Sequence, residues 1–153
     1  MGIDPGTTTS GICLYDLRAN RVEWSDKAMP TDQIILAIRT HASLRDVEIA
    51  LERIEALYGG TIGKETVKTI QLCGRIIQCA WPRTIHCLSP AEVRMAVCGT
   101  AKAKDPGVNQ ALIDKIGPKG TKKAPGPTAG VSSHAWRALA VAYASTLAPT
   151  HPE

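Results

Sequence analysis

Three residues far apart in this chain carry side chains able to hold a divalent cation: Asp4, Glu52 and His134. Two carboxylates and an imidazole form a donor set that suits Mg2+ or Mn2+, and the imidazole tilts it toward Mn2+. Each residue also has an ordinary reading. Asp4 lies in "GIDPGTTTSG", where Pro5, Gly6 and Gly11 turn the chain, so it is either a turn former or a ligand held at a strand end. His134 falls at a helix start, where a histidine is often a surface or capping residue. Charge adds a further feature. Between Ala101 and Lys123 six lysines stand against Asp105 and Asp114, while the whole chain carries a formal net charge of +4, so the remainder is about neutral. A basic segment on a neutral body suits a polyanionic partner; its bland alternative is a solubilising loop.

Positioning these groups requires a folded scaffold, and the composition supplies one. At 153 residues with 44% hydrophobic and 21% charged residues, the chain is expected to form a single domain over 1–153 with a real core. No apolar run approaches the roughly 18 residues of a membrane span. The start of the chain lacks the basic-then-apolar pattern of a secretory leader. Five cysteines without CxxC spacing, set among apolar residues, read as buried free thiols in a reducing cytoplasm.

The hydrophobic pattern predicts the order β-β-β-α-β-α-β-α-α-α. "GID" is a strand so short that a natural start a few residues upstream is expected, and "GICLYDL" and "RVEWSD" form a hairpin turning at Ala19-Asn20. "TDQIILAIRTHASL" is a helix with Thr31 or Asp32 as cap, and "DVEIALERI" alternates as a strand. "GKETVKTIQLCGRIIQCAW" is a helix with Val67, Ile70, Cys73/Gly74 and Ile77 on one face, ended by Pro82. After the short strand "RTIHCL", Ser89 and Pro90 open a helix that Gly99 closes. "DPGVNQALIDKIG" is helical, residues 118–130 are a basic Pro/Gly/Lys-rich exposed loop, and "VSSHAWRALAVAYASTLA" is a small-residue helix that must pack closely. Together these predict an α/β fold, a mixed sheet of about five strands with helices on both faces.

Four blocks in the order "GIDPGTTTSG", "ALERIEALYGGTIGKETVKTIQLCGRI", "SPAEVRMAVCGTAKAKDPGVNQAL" and "SSHAWRALAVAYA" make nearly the whole chain similar to RuvC-type Holliday-junction resolvases, closest to their bacteriophage branch. The resemblance implies a ribonuclease H-like fold, a homodimer, and two-metal hydrolysis of branched DNA with Asp4 and Glu52 as catalytic metal ligands. The family's acidic pair on the last helix reads here as His134 and Arg137. A His at the first place can still ligate metal, but a cation at the second cannot. Three outcomes are open: Arg137 turned away toward phosphate, Asp105 replacing the lost acid, or a protein that binds junctions while cutting them weakly. The family's phosphate-assisting lysines fall at Arg94, which keeps the charge, and at Asp105, which inverts it beside Lys102 and Lys104.

DNA contacts are expected from Lys102, Lys104, Lys119, Lys122, Lys123 and Arg137. The chain has no Phe to serve as the family's aromatic wedge, leaving Tyr58 to stack on a base at the crossover, or to be half-buried at a strand end. Glu55 and Glu65 read as structural. "DPGTTTSG" also resembles the phosphate loop of actin-like ATPases, but those need two such lobes and this chain has one. A single site per chain, set against a four-way junction with two equivalent strands, calls for a C2 dimer, with the helix from Gly63 to Trp81 as its interface through Val67, Ile70, Ile76 and Ile77.

Overall fold

The computed structural model describes residues 1–42, 47–54, 62–83 and 85–147. Its elements follow the predicted order: β1 (Gly2–Asp4), β2 (Thr9–Asp16), β3 (Arg21–Pro30), α1 (Thr31–Ala42), β4 (Ile49–Glu52), α2 (Lys64–Ala80), β5 (Ile85–Leu88), α3 (Pro90–Cys98), α4 (Asp105–Ile116) and α5 (His134–Ser145). The strands form one mixed sheet in the order β3-β2-β1-β4-β5, antiparallel on one side of β1 and parallel on the other. The crossovers from β3 to β4 and from β4 to β5 carry α1 and α2, and β3 runs longer than its sequence pattern suggests.

Each face of the sheet covers its own core. Ile3, Ile12, Ile49 and Leu51 meet Ile34 and Ile38 of α1 and Leu72 and Ile76 of α2. On the other face Cys13 and Ala50 meet α5, which also packs against Val93 and Val97 of α3 and Leu112 of α4. This two-sided burial fits the strand pattern, since successive strand residues point to opposite faces. Two expectations change. Ile76 belongs to the monomer's core, because α2 buries Thr69, Leu72, Ile76 and Ala80 and leaves Val67, Ile70 and Ile77 exposed. Of the five free cysteines only Cys13 is buried, and Cys87, on the edge strand β5, is exposed.

Local chemistry fixes the ends of α3. Ser89 accepts from the Glu92 N–H while the Glu92 carboxylate accepts from the Ser89 N–H, a capping box with Pro90 in the first turn. Gly99, at φ 72°, closes the helix in the left-handed conformation that glycine adopts without cost.

Helix α5 packs closely on β1 and β2. A Cβ on Gly2 would overlap the Ala138 carbonyl and the Ala142 side chain. Gly2→Ala is therefore expected to destabilise the protein by about 1–3 kcal/mol through overpacking. Gly107→Ala, in α4 with no atom near the added methyl, is expected to stabilise it by about 1 kcal/mol. Urea denaturation of the two variants checks the contrast.

Candidate active site

Strand register brings the two carboxylates together. Ile3 pairs with Leu51 in the parallel β1–β4 ladder, so Asp4 and Glu52 are next in line on adjacent strands. Both follow Gly2 and Ala50 onto the face that α5 covers. Across the antiparallel ladder Asp4 pairs with Gly11, which sits at an irregularity in β2. A Cβ on Gly11 would overlap the His134 backbone, so the missing side chain is what lets the first residue of α5 settle beside Asp4. The result is a 3.0 Å contact between His134 Nδ1 and Asp4 Oδ2. Ser133, at φ 46°, turns the chain into α5 immediately before it.

Asp4 is only 7% exposed. Burial pushes its carboxyl above the usual range, against the opposing pull of the His134 hydrogen bond and the Arg137 charge. Burial and then the Asp4 charge push Glu52 up to about 7, again opposed by Arg137 and Arg94. Two desolvated carboxylates that raise each other's proton affinity are short of positive charge. With an imidazole alongside, the donor chemistry fits a divalent cation. Among the described residues no group of three His, Cys, Asp or Glu side chains is already arranged to hold an ion. An ion held beside Asp4 and Glu52 would draw its other ligands from water and a bound phosphate.

Arg137 is not turned away from this cluster. It lines a cavity of about 110 Å3 with Glu52, Arg94, Asp105, Val108 and Ala140. Its Nη2 donates to Asp105 Oδ2 at 2.7 Å. Arg94 thus stands where a phosphate beside Glu52 would meet it. Lys102 and Lys104 are exposed on the turn between α3 and α4.

The basic stretch is exposed from 118 to 125 and is tied together by internal hydrogen bonds. Gly120 bridges to Pro125, Gly126 N–H donates to Lys119 O at 2.8 Å, and the fully buried Thr128 donates to Gly117 O at 2.8 Å. Lys122 and Lys123 ride exposed at its tip, between Thr121 and Ala124, which exchange backbone hydrogen bonds. Lys119 Nζ lies 5.2 Å from the centre of the Trp136 ring, two residues from His134. The Lys119–Trp136 pairing and the role of Gly11 had no local signal in the sequence, because both partners are distant in the chain. Tyr58 and Glu55 lie outside the described residues. Glu65 lies in the first turn of α2 and forms an ion pair with Lys68 at 2.9 Å.

No family model matches the chain. A curated protein, the crossover junction endodeoxyribonuclease RuvC of Leifsonia xyli subsp. xyli, is 30% identical over 158 residues, spanning 90% of this chain and 73% of that protein. Two solved structures share the fold. The RuvC of Thermus thermophilus matches with a TM-score of 0.68 at 20% identity, covering 95% of this chain and 91% of that one. The T. thermophilus RuvC in complex with Holliday junction substrate matches with a TM-score of 0.67 at 18% identity, covering 95% and 90%. The expected ribonuclease H-like architecture is thereby borne out.

The Glu52 shift has a measurable consequence in protein stripped of metal. The carboxyl would lose its proton near 4.5 in the unfolded chain and near 7 in the folded one. Between those values the folded state binds more protons, so stability falls as pH rises across the interval. Chelator-treated protein is expected to lose stability from about pH 5 to about pH 8, and Glu52→Gln to flatten that loss. Urea midpoints at the two pH values test it.

Proposed function

The chain belongs to the RuvC family of crossover junction endodeoxyribonucleases, and from that premise we propose that it resolves four-way DNA junctions by metal-dependent hydrolysis of symmetry-related phosphodiesters. The observation that carries the reading is the 3.0 Å contact of His134 with Asp4, whose strand runs parallel to that of Glu52. Mg2+ or Mn2+ would be held by Asp4, Glu52 and His134 and would supply Lewis acidity and an activated water. Asp4 acts from a strand rather than a loop, which keeps its position rigid. Arg94 offers a planar fork to the phosphate beside Glu52. Lys102, Lys104, Lys119, Lys122 and Lys123 follow the DNA backbone without reading its sequence. Tyr58 is the candidate to stack on a base at the crossover.

The partner that completes the enzyme is a second copy. On α2, Val67, Ile70, Ile77 and Trp81 are exposed, at 42, 46, 46 and 76%. With Gly74 between them they recur at alternating steps of three and four residues, the seam by which two helices pack. A C2 dimer on this stripe would supply two sites related as the two cut strands are.

A second reading, a protein that binds junctions and cuts them weakly, is favoured by one observation, the cationic Arg137 among the carboxylates. One experiment separates the readings. On a supercoiled cruciform plasmid with Mg2+ or Mn2+, the parent should give linear product. Asp4→Asn should cut nothing while still binding junctions, and mixed dimers of the two should give nicked circles. Intact plasmid with the parent would favour the weak-binding reading, and linear product from the mixed dimer would remove the paired sites.

The basic loop makes a separate prediction. Neutralising Lys119, Lys122 and Lys123 together should weaken binding to every junction sequence. It should also flatten the salt dependence by about 0.9 in the log–log slope for each lost phosphate contact. An unchanged slope in a binding titration would return the loop to a solubilising role.

A further inference from the structure

Arg137 follows His134 by three residues on α5, so the two side chains rise from one side of the helix. Its charge reaches both Asp4 and Glu52, and it shares a cavity of about 110 Å3 with Glu52, Arg94 and Asp105, room for only a few waters or one compact anion. A surface ion pair of this kind adds little to stability. Arg137 and Asp105 are about half exposed, at 45 and 50%, and are not needed to hold the fold. The pairing does fix the direction of the guanidinium. One edge is taken by Asp105 Oδ2 at 2.7 Å, and of the five donors no other is bonded to an acceptor among the described residues.

Charge decides what that acceptor can be. Glu52 stands with Asp105, Arg94 and Arg137 in the cavity and with Asp4 on the neighbouring strand, three carboxylates against two guanidiniums. One phosphodiester and one divalent ion bring this set to neutrality. A second divalent ion would leave two surplus positive charges in a partly desolvated site, beside a guanidinium that repels it.

We propose that Arg137 is a catalytic residue that takes the place of a second metal ion, donating to the non-bridging oxygens of the scissile phosphate, and that Asp105 is the positioning residue that aims it. The inference rests on the junction-nuclease reading and specifies its chemistry: one ion per chain, which Asp4, Glu52 and His134 would hold, with the guanidinium of Arg137 serving the phosphate. The water oxygen forms its bond to phosphorus as the bond to the leaving sugar oxygen breaks. The proton lost by the water returns through solvent to that oxygen. Arg137 transfers no proton. It stabilises the charge that builds on the phosphoryl oxygens, the role for which a fixed, planar donor is suited.

The test counts ions rather than products. Protein is mixed with a four-way junction and Mn2+ and frozen before turnover, and Mn2+ is counted by electron paramagnetic resonance. The parent should show one magnetically isolated Mn2+ per chain. Arg137→Ala should keep that ion and its affinity for junctions while cleavage slows about 10²–10³-fold, and Arg137→Lys should recover part of the rate. Asp105→Asn should slow cleavage with Mn2+ affinity unchanged. A spin-coupled pair of ions in the parent would overturn the proposal and leave the nuclease reading standing. So would loss of Mn2+ affinity in Asp105→Asn comparable to that in Glu52→Gln, which would make Asp105 a ligand, or cleavage by Arg137→Ala at the parent rate. A parent that neither holds Mn2+ on the junction nor cuts it would remove both readings together.

Discussion

The seating of α5 on β1 and β2 is the contact on which the rest of the structure depends. Two absent side chains make it possible: Gly2 opens space for Ala138 and Ala142, and Gly11 opens it for the His134 backbone. Small residues along α5 complete the fit, with Ala138, Leu139, Ala140 and Val141 buried against the sheet and α3. Interiors packed to this density transmit displacement rather than absorb it. A shift of α5 away from the sheet would carry His134 from Asp4 and Arg137 from Asp105 in a single motion. The same helix is thus the core of one face and the frame of the site.

That frame stands at the edge of what burial allows. Asp4 and Glu52 are taken out of water side by side, which costs free energy that neither recovers from the other. The protein offsets part of that cost with His134 in contact with Asp4 and with Arg137 and Arg94 around Glu52. The remaining lysines stay outside, exposed on the turn after α3 and on the ordered loop before α5. Charge is graded from a negative floor to a positive rim. This is the arrangement that draws in a polyanion and then holds a cation between it and the carboxylates.

The order of elements could be read from the sequence because each carries its own period and punctuation: the alternation around Ile49 and Leu51, the capping box from Ser89 to Glu92, the turn at Asn20 with φ 51°. Asp4, Glu52 and His134 could be named for the same reason, since each is a polar residue at the end of a regular element. What could not be read was which surface faces what. On α2 the pattern offered two apolar faces, and only the packing of Ile34 and Ile38 shows that Leu72 and Ile76 turn inward while Val67, Ile70 and Ile77 do not. The direction of Arg137 was equally hidden, because it is set by Asp105, 32 residues away and on another helix. The Pro/Gly-rich loop could be read from composition as exposed, but not why its glycines at 120 and 126 are there: each is needed where backbone crosses backbone.

The site and the apolar stripe of α2 are mechanically one unit, although they lie on different elements. The turn that follows Asp4 is closed by Gly6 N–H donating to Ser10 Oγ at 3.1 Å. Its Thr7 hydroxyl meets Thr69 Oγ1 at 3.1 Å and donates to Glu65 O at 3.4 Å. Thr69 is buried and bonds in turn to Glu65 O at 3.0 Å, so the contact is anchored inside the first two turns of α2. From the carboxylate of Asp4 to the exposed Val67 and Ile70, every link is a strand, a closed turn or a helix. Two sites that must cut symmetrically related strands need a fixed distance and orientation between them. A second copy packed on α2 would inherit both from this chain of bonds, with no hinge between the interface and the metal ligands. Thr7 of "GTTTSG" therefore has a use beyond turning the chain: it ties the carboxylate strand to the helix against which a partner would be measured.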